Sequence, residues 1–337
     1  MSTATVGRAR ARAGTNIALV KYWGKRDTEL NLPSAGSLSL TLAELGTETQ
    51  VTFVARTDAQ REDIVLLGGK SVDEKFRTRV SRFLDRVRSR AQLDATALVE
   101  TSNTVPTASG LASSASGFAA LAVAASHAAG LRLSDHELSQ LARLGSGSAA
   151  RSIFGGLALM SAGQAEDGHD AVAKPIVGAE DWPLRLVIAM TSSAEKSLSS
   201  TAAMTQTEKT SPYYPAWVAS VDADLEAACA AISARNFHEL GRTTERSCLR
   251  MHASALAADP GILYFNSATV AAIETVRTLR QDGVPVYFTI DAGPHVKALC
   301  LAQDTDRIEK KLATTPGVLR TMVAGPGPGA EWLTTTP

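Results

Sequence analysis

Four short stretches of this 337-residue chain combine residue types that could handle an anionic, phosphorylated ligand. In NIALVKYWGK, Asn16 to Lys25, the alternation of Ile17 and Leu19 predicts a strand, and Lys21 and Lys25 emerge at its end beside Tyr22 and Trp23. Two ammonium groups next to an aromatic pair suit phosphates, but they equally suit the solvated end of a strand. In GSGSAARS, Gly145 to Ser152, Arg151 follows Ser146 and Ser148. A guanidinium fork fits a carboxylate or a phosphate, with the hydroxyls completing the anion's hydrogen bonds. A surface arginine at a helix end would read the same way. Asp291 stands where the apolar run VPVYFTI stops, at the start of DAGP, as a turn former or as a carboxylate held on a rigid element.

The fourth stretch, PTASGLASSASGFAAL (Pro106 to Leu121), is nearly free of charge. Pro106 and Gly110 mark a loop, and from Leu111 the spacing of Ala115, Phe118, Ala119 and Ala122 predicts a helix facing a core. Small residues at such a start let an anion approach unpaired amides at the positive end of the helix dipole, and Ser113 and Ser114 add hydroxyls. Close helix packing alone would explain the same composition. The stretch is neither a Walker loop nor a dinucleotide-binding turn. The six histidines make no ligand pattern; His252 and His295 read as structural, and GPGPG at Gly325 reads as a terminal turn.

The elements that must position these groups follow from periodicity. Strands are expected at Thr15 to Tyr22, Ser37 to Leu42, Thr49 to Ala55, Ile64 to Leu67 and near Ala97 to Thr101. A helix from Val72 to Arg88 places Phe76, Val80, Phe83, Leu84 and Val87 on one face and arginines on the other, and SDHE at Ser134 predicts a capped helix. Ile153 to Met160 and Leu184 to Met190 read as strands separated by a turn at GQAEDGHD. Ser197 to His252 is helical in pieces broken by Pro212 and Pro215. A helix over Ser267 to Gln281, a strand over Val284 to Ile290, a helix near Asp304 to Leu312 and a strand near Val318 to Val323 complete the pattern. Two lobes dividing near Trp182 to Pro183, 1–183 and 184–337, are expected to share a wide interface.

Lys plus Arg equals Asp plus Glu, 34 each, so no global field draws the chain to nucleic acid or to a membrane surface, although a local cationic pocket remains open. Three widely spaced cysteines fit neither a disulfide framework nor a metal site. No apolar run is long enough to span a bilayer. The Arg-rich start reads as a loose tail rather than a transit segment, and a cytoplasmic location is expected.

Taken in order, NIALVKYWGKRD, LPSAGSLSLTL, TVPTASGLASSASGFAALA, GSGSAARSIFGG, LSSTAAM with KTSP after it, MHAS, ILYFN, TIDAGP and VAGPGPG resemble the GHMP small-molecule kinase superfamily and, within it, the diphosphomevalonate decarboxylase family. The resemblance implies an α+β chain: an N-terminal ATP-binding lobe like domain 2 of ribosomal protein S5, a C-terminal ferredoxin-like lobe, and a site in the cleft between. It implies ATP- and magnesium-dependent decarboxylation of diphosphomevalonate to isopentenyl diphosphate, a step of isoprenoid biosynthesis, releasing ADP, phosphate and carbon dioxide. It also implies a small-molecule substrate and a homodimer, with neither nucleic acid nor membrane as partner.

Carried over residue by residue, Gly110, Leu111, Ala112, Ser113 and Ser114 match the phosphate loop, with Ser113 beside the transferred group or its magnesium. Asn103 and Lys196 match nucleotide contacts. Asp291 matches the catalytic aspartate, Lys21 the lysine beside it, and Arg151 the holder of the substrate carboxylate. Tyr22, Lys25, Ser146, Ser148, Ser200, Met204 and Ala292 match positions lining the substrate. No metal-ligating side chain is otherwise assigned. Ala35 with Gly36, and His295, depart from the pattern of many relatives, and both changes are expected to alter substrate contacts; Ala150 stands where a Cys is frequent. The rival readings are a phosphomevalonate decarboxylase, a mevalonate 3-kinase, and a catalytically dead metabolite sensor.

Overall fold

The structure, a computed structural model, describes residues 5–57, 61–104, 113–194 and 198–334. The chain opens with β1 (Thr5–Val20), a small hairpin of β2 (Lys25–Asp27) and β3 (Leu32–Pro33), then β4 (Ser37–Ala55), β5 (Ile64–Leu67) and β6 (Lys70–Ser71). Next come α1 (Glu74–Ala91), β7 (Ala95–Asn103), α2 (Ser113–Ala128), α3 (Asp135–Gly145), α4 (Ala149–Ser152) and the hairpin β8 (Leu157–Met160) and β9 (Ala173–Val177). The second half holds β10 (Leu184–Met190), α5 (Ser200–Thr210), α6 (Tyr214–Ser233), α7 (Phe237–Leu256), α8 (Ser267–Gln281), β11 (Val286–Ile290), β12 (Val296–Leu301), α9 (Thr305–Ala313), β13 (Arg320–Ala324) and β14 (Glu331–Leu333).

The first sheet runs β14-β1-β4-β7-β5-β6, with β8 and β9 joined to the early part of β4. The Arg-rich start is not a loose tail. Ala9, Ala11 and Ala13 point into the core while Arg8, Arg10 and Arg12 point outward, the period-2 pattern of a half-buried strand. The arginines are held on that face: Arg8 donates to Gln50, Arg10 pairs with Glu48, and Arg12 donates to the Ala43 carbonyl. The two strands expected between Ser37 and Ala55 are one, β4, which stays paired to β1 across a register shift near Gly14 and Gly46.

Against this sheet lies α2, whose residues Phe118 to Ala125 are all buried. Its small side chains let β1 and β4 approach closely, so the expected packed helix is present, starting at Ser113. Helix α3 has the expected capping box: Ser134 Oγ accepts from the Glu137 amide and the Glu137 carboxylate accepts from the Ser134 amide.

The second sheet is antiparallel, in the order β11-β12-β10-β13. Taking its own strands in chain order, this is 2-3-1-4, with helices between the first and second and between the third and fourth, which is the ferredoxin-like arrangement. Strand β10 alternates. Val187 and Ala189 face α8 and α9, while Leu184, Leu186, Ile188 and Met190 join a core shared with Ile17, Leu19, Leu38 and Leu40 of the first sheet and with α6 and α7. Each such fully buried Leu or Ile contributes about 1.5–3 kcal/mol, so this shared core holds the two sheets in one relative placement.

Strands β9, β12 and β14 were not expected from the sequence. The segment 153–160 is a strand only from Leu157, after the short helix α4. GPGPG is not a free turn: Gly327 donates to Thr41 and accepts from Gly156, and Gly325 accepts from Ala43. It is a packed connector that carries the chain from the second sheet back to β14 on the edge of the first.

Candidate active site

Strand β11 is buried at every position and delivers Asp291 at its end. Strand β1 of the other sheet delivers Lys21, whose backbone amide is anchored by the Ser247 hydroxyl of α7 at 3.0 Å. The Lys21 ammonium donates to Asp291 Oδ1 at 2.7 Å and to the Ala18 carbonyl at 3.0 Å. A second lysine, Lys297 on β12, lies 3.0 Å from Asp291 Oδ2. Both lysine side chains are nearly fully buried, at 2% and 4% exposure, while Asp291 keeps 30%. Burial alone would push the Asp291 carboxyl up, but the two ammonium groups outweigh it and hold the carboxyl well below the usual carboxylate range. Asp291 is therefore a fixed anion and a weak base. Beneath it, His252 Nε2 donates to the Ile290 carbonyl at 3.1 Å and His295 Nδ1 accepts from the Thr191 amide at 3.2 Å, so both have the structural role expected of them.

Arg151 is 1% exposed, yet its hydrogen-bond partners are neutral: Nε donates to Ser39 Oγ at 2.8 Å, one terminal nitrogen to Ser37 Oγ, and the other to Asn16 Oδ1 at 3.2 Å. Burial lowers its pKa to about 10, so it stays charged near neutrality. A buried guanidinium whose partners are hydroxyls and an amide retains its full attraction for an anion, and these three bonds leave two of its five N–H groups unspent.

Beyond Arg151 stand Tyr22, Ser146, Ser148 and Lys25. The Tyr22 ring lies under the guanidinium at 5.8 Å, and its hydroxyl is buried with no hydrogen-bond partner among the described residues. A Cβ at Gly147 would meet that hydroxyl at 2.0 Å, so any larger residue there would displace the Tyr22 ring. Ser146 and Ser148 lie 3.3 Å apart, Oγ to Oγ, across the break between α3 and α4. Lys25 donates to Asn31 Oδ1 at 2.6 Å, and burial, with Arg79 nearby, lowers its pKa to about 8.

Asp291, Lys21, Arg151, Tyr22, Ser146, Ser148 and Lys25 line one cavity of about 610 Å³, together with Ser200, Met204 and Ala292. Its other end is walled by Val65, Leu67, Phe76 and Val99, with Thr101, Asn103 and Ser114 as polar groups, a shape and chemistry suited to a base joined to a polar tail. Asn103 is oriented by the Thr47 hydroxyl at 2.8 Å. Gly110, Leu111, Ala112 and Lys196 lie outside the described residues, and of Ser113 only its place at the start of α2 is described. Ala35, Gly36 and His295 are not among the described lining residues. Ala35 packs in the core, and a Cβ at Gly36 would meet Leu225 and Met160.

Reading the sequence missed two cations. Arg79 was assigned to the solvent face of α1, but its guanidinium stacks 4.5 Å over Phe118, donates to the Gly145 carbonyl at 2.8 Å and lines the cavity. Lys297 sits in the apolar run HVKALCL; a lone charge inside a strand without a neighbouring acid was the available signal. Among the described lining residues, Lys21, Lys25, Arg79 and Arg151 are the cations and Asp291 is the single carboxylate, a formal charge of +3 in a chain whose net charge is zero. Such a cavity concentrates multiply charged anions. The described residues hold no group of three His, Cys, Asp or Glu able to bind a metal ion and no helix long and apolar enough to cross a membrane.

Comparison with known proteins gives this geometry a lineage. Residues 13–173 match the diphosphomevalonate decarboxylase-like N-terminal domain, and residues 186–320 match the mevalonate 5-diphosphate decarboxylase C-terminal domain. The diphosphomevalonate decarboxylase of Aspergillus fumigatus is 37% identical over 321 residues, which cover 90% of this chain and 80% of that protein. The mevalonate diphosphate decarboxylase of Enterococcus faecalis, in a structure concerned with ATP binding mediated by mevalonate diphosphate, superposes with a TM-score of 0.89 at 41% identity, over 98% of this chain and 99% of that one. A structure of MDDEF in complex with MVAPP, AMPPCP and magnesium gives a TM-score of 0.90 at 42% identity over the same shares. The expected GHMP kinase fold is therefore the fold of this protein. With both halves matched and the architecture shared along nearly its whole length, the chain belongs to the diphosphomevalonate decarboxylase family.

Proposed function

We propose that this protein is the enzyme that converts diphosphomevalonate to isopentenyl diphosphate in the mevalonate pathway, consuming ATP and releasing ADP, phosphate and carbon dioxide. The observation that carries the reading is the single carboxylate, Asp291, set among the cations of one cavity with the neutral-partnered guanidinium of Arg151 facing the same space. The substrate offers what these groups ask for: a diphosphate, a carboxylate and a tertiary hydroxyl.

In this reading Arg151 holds the substrate carboxylate with its unspent N–H groups, and Tyr22, Lys25, Ser146 and Ser148 receive the diphosphate. Lys21 neutralises oxygens of the phosphoryl group being transferred. Asn103, Ser114 and the start of α2 would hold ATP with its magnesium, which would supply the phosphoryl group that makes the hydroxyl a leaving group, with ADP departing and the hydroxyl proton released as the new P–O bond forms. Loss of phosphate from the tertiary carbon then breaks the C–O bond, the C–C bond to the carboxylate supplies the electron pair of the new double bond, and carbon dioxide departs. Asp291, ionised and immobile, orients the hydroxyl at the outset and stabilises the positive charge that develops on the carbon. The orphaned Tyr22 hydroxyl and the excess of buried positive charge fit a polyanionic ligand.

The test is an assay with ATP and magnesium in which mevalonate, its monophosphate and its diphosphate are offered separately while carbon dioxide and phosphate are followed. Equimolar release of both from the diphosphate is expected. Phosphorylated product without carbon dioxide, or preference for the monophosphate, would overturn the reading. The same reading takes the chain as two lobes divided near Trp182 and Pro183, paired as a homodimer in the cytoplasm; sedimentation of the purified chain as a monomer would remove the dimer from it.

A further inference from the structure

The Asp291 carboxylate is clasped on both oxygens, and the two lysines that clasp it are not equivalent. Lys21 lines the cavity, and its ammonium has an additional acceptor in the Ala18 carbonyl. Lys297 sits on the far side of the carboxylate, outside the described lining of the cavity, on the strand that pairs directly with β11: Lys297 is in register with Thr289 and Val296 with Ile290. Its neighbours Val296, Ala298, Leu299 and Cys300 are all buried apolar residues. An ammonium group buried there carries a desolvation cost that an apolar side chain of similar volume would avoid, so its retention is not explained by stability.

We infer that Lys297 is a positioning residue for the reaction: it is the standing counter-ion of Asp291, which leaves Lys21 able to turn its ammonium to the incoming phosphoryl oxygens without stranding the carboxylate. The inference rests on the proposed role of Asp291. With Lys297 on Oδ2, the carboxylate cannot rotate or gain a proton when Lys21 is drawn away, and its charge stays fixed beside the reacting carbon. The charged and titratable groups facing Asp291 are Lys21 just past β1, Lys297 of β12, Arg151 of α4, and Cys248 and His252 of α7. Burial holds Cys248 protonated and His252, with a pKa of about 3, neutral, so neither replaces the missing charge when Lys297 is removed.

The experiment compares the pH dependence of kcat for the wild type, Lys297→Met and Lys297→Arg, with Asp291→Asn as reference. Removing one of two ammonium groups makes a carboxylate easier to protonate as pH falls. Lys297→Met should lower kcat about tenfold or more, the loss deepening toward acid pH, with the KM for the phosphorylated substrate changed less than about threefold, while Lys297→Arg restores kcat. A purely structural role would lower kcat equally at every pH, and either that uniform loss or an unchanged kcat in folded Lys297→Met overturns the inference. Should Lys297→Met fold poorly, thermal unfolding of the double variant with Asp291→Asn decides: Lys297→Met should lower the Tm less in that background, and an equal loss in both overturns the pairing. Full activity of Asp291→Asn would instead sink the role of Asp291 itself, a failure distinguishable from that of Lys297.

Discussion

A lysine with a lowered pKa inside a phosphate-binding cavity makes substrate capture sensitive to mild alkali. Lys25 is partly buried, its pKa is lowered to about 8 by desolvation and by the nearby Arg79 charge, and its acceptor is the neutral Asn31 side chain. A diphosphate bound against it favours the charged form, so the bound-state pKa lies above the free-state value. The contribution of Lys25 to binding is therefore fully present below about 8 and is lost as pH rises from there through the higher bound-state pKa. At one pH unit above the free-state pKa about one tenth of the lysine is charged, so kcat/KM should fall about tenfold by pH 9 and then level off at the loss shown by Lys25→Met. The assay is steady-state kcat/KM at fixed ionic strength from pH 6.5 upward, with Lys25→Arg as control. Arginine stays charged throughout, so its profile should lose the break near 8. At pH 7 Lys25→Met should lose about 1.5–3 kcal/mol of charge-assisted hydrogen bonding, a fall of roughly 10- to 150-fold in kcat/KM. An identical alkaline limb in the wild type and Lys25→Arg would refute the assignment of that titration to Lys25.

Other substitutions test the remaining parts of the site. Asp291→Asn keeps a hydrogen-bond acceptor but removes the anion, and kcat should fall by about 10²-fold or more; near-wild-type turnover in a folded variant contradicts the role given to Asp291. Arg151→Lys keeps the charge but cannot satisfy Ser37, Ser39 and Asn16 together while holding a carboxylate, so kcat/KM should drop roughly 10- to 100-fold, and unchanged kinetics would show that the fork is not used. Phe118 is 4% exposed, packs edge-on against Phe83 at 5.5 Å and carries Arg79 over its face. Phe118→Ala should cost about 3–5 kcal/mol in urea unfolding, and a loss below about 1 kcal/mol would mean that the helix collapses onto the gap.

Much of this molecule was legible along the chain because local rules governed it. The Ser134 capping box, the helix from Ser267 to Gln281 and the strands Ile64 to Leu67 and Leu184 to Met190 occur where periodicity and caps placed them. Parts of the candidate site were visible as chemistry too: Lys21 with Lys25, Arg151, and Asp291 at a strand end, while of the small-residue helix start only Ser114 is described on the cavity wall. The misreadings have physical causes. Arg8, Arg10 and Arg12 resembled a tail because only a sheet on one side turns alternating Ala and Arg into a strand. Strands β9 and β14 are short and exist through pairing with β8 and β1.

Only the tertiary structure decided how the charges act. Lys21 and Asp291 are 270 residues apart, and their 2.7 Å contact forms because two sheets meet over α7. Lys297 reaches the same carboxylate because the β11–β12 register sets it beside that strand end. A chain with equal numbers of acids and bases has no field that composition can reveal, yet folding gathers four cations and one carboxylate around a single cavity. Residue types and local spacing are properties of the sequence, whereas electrostatic energy depends on distance and burial in space, and those are set when the two sheets pack.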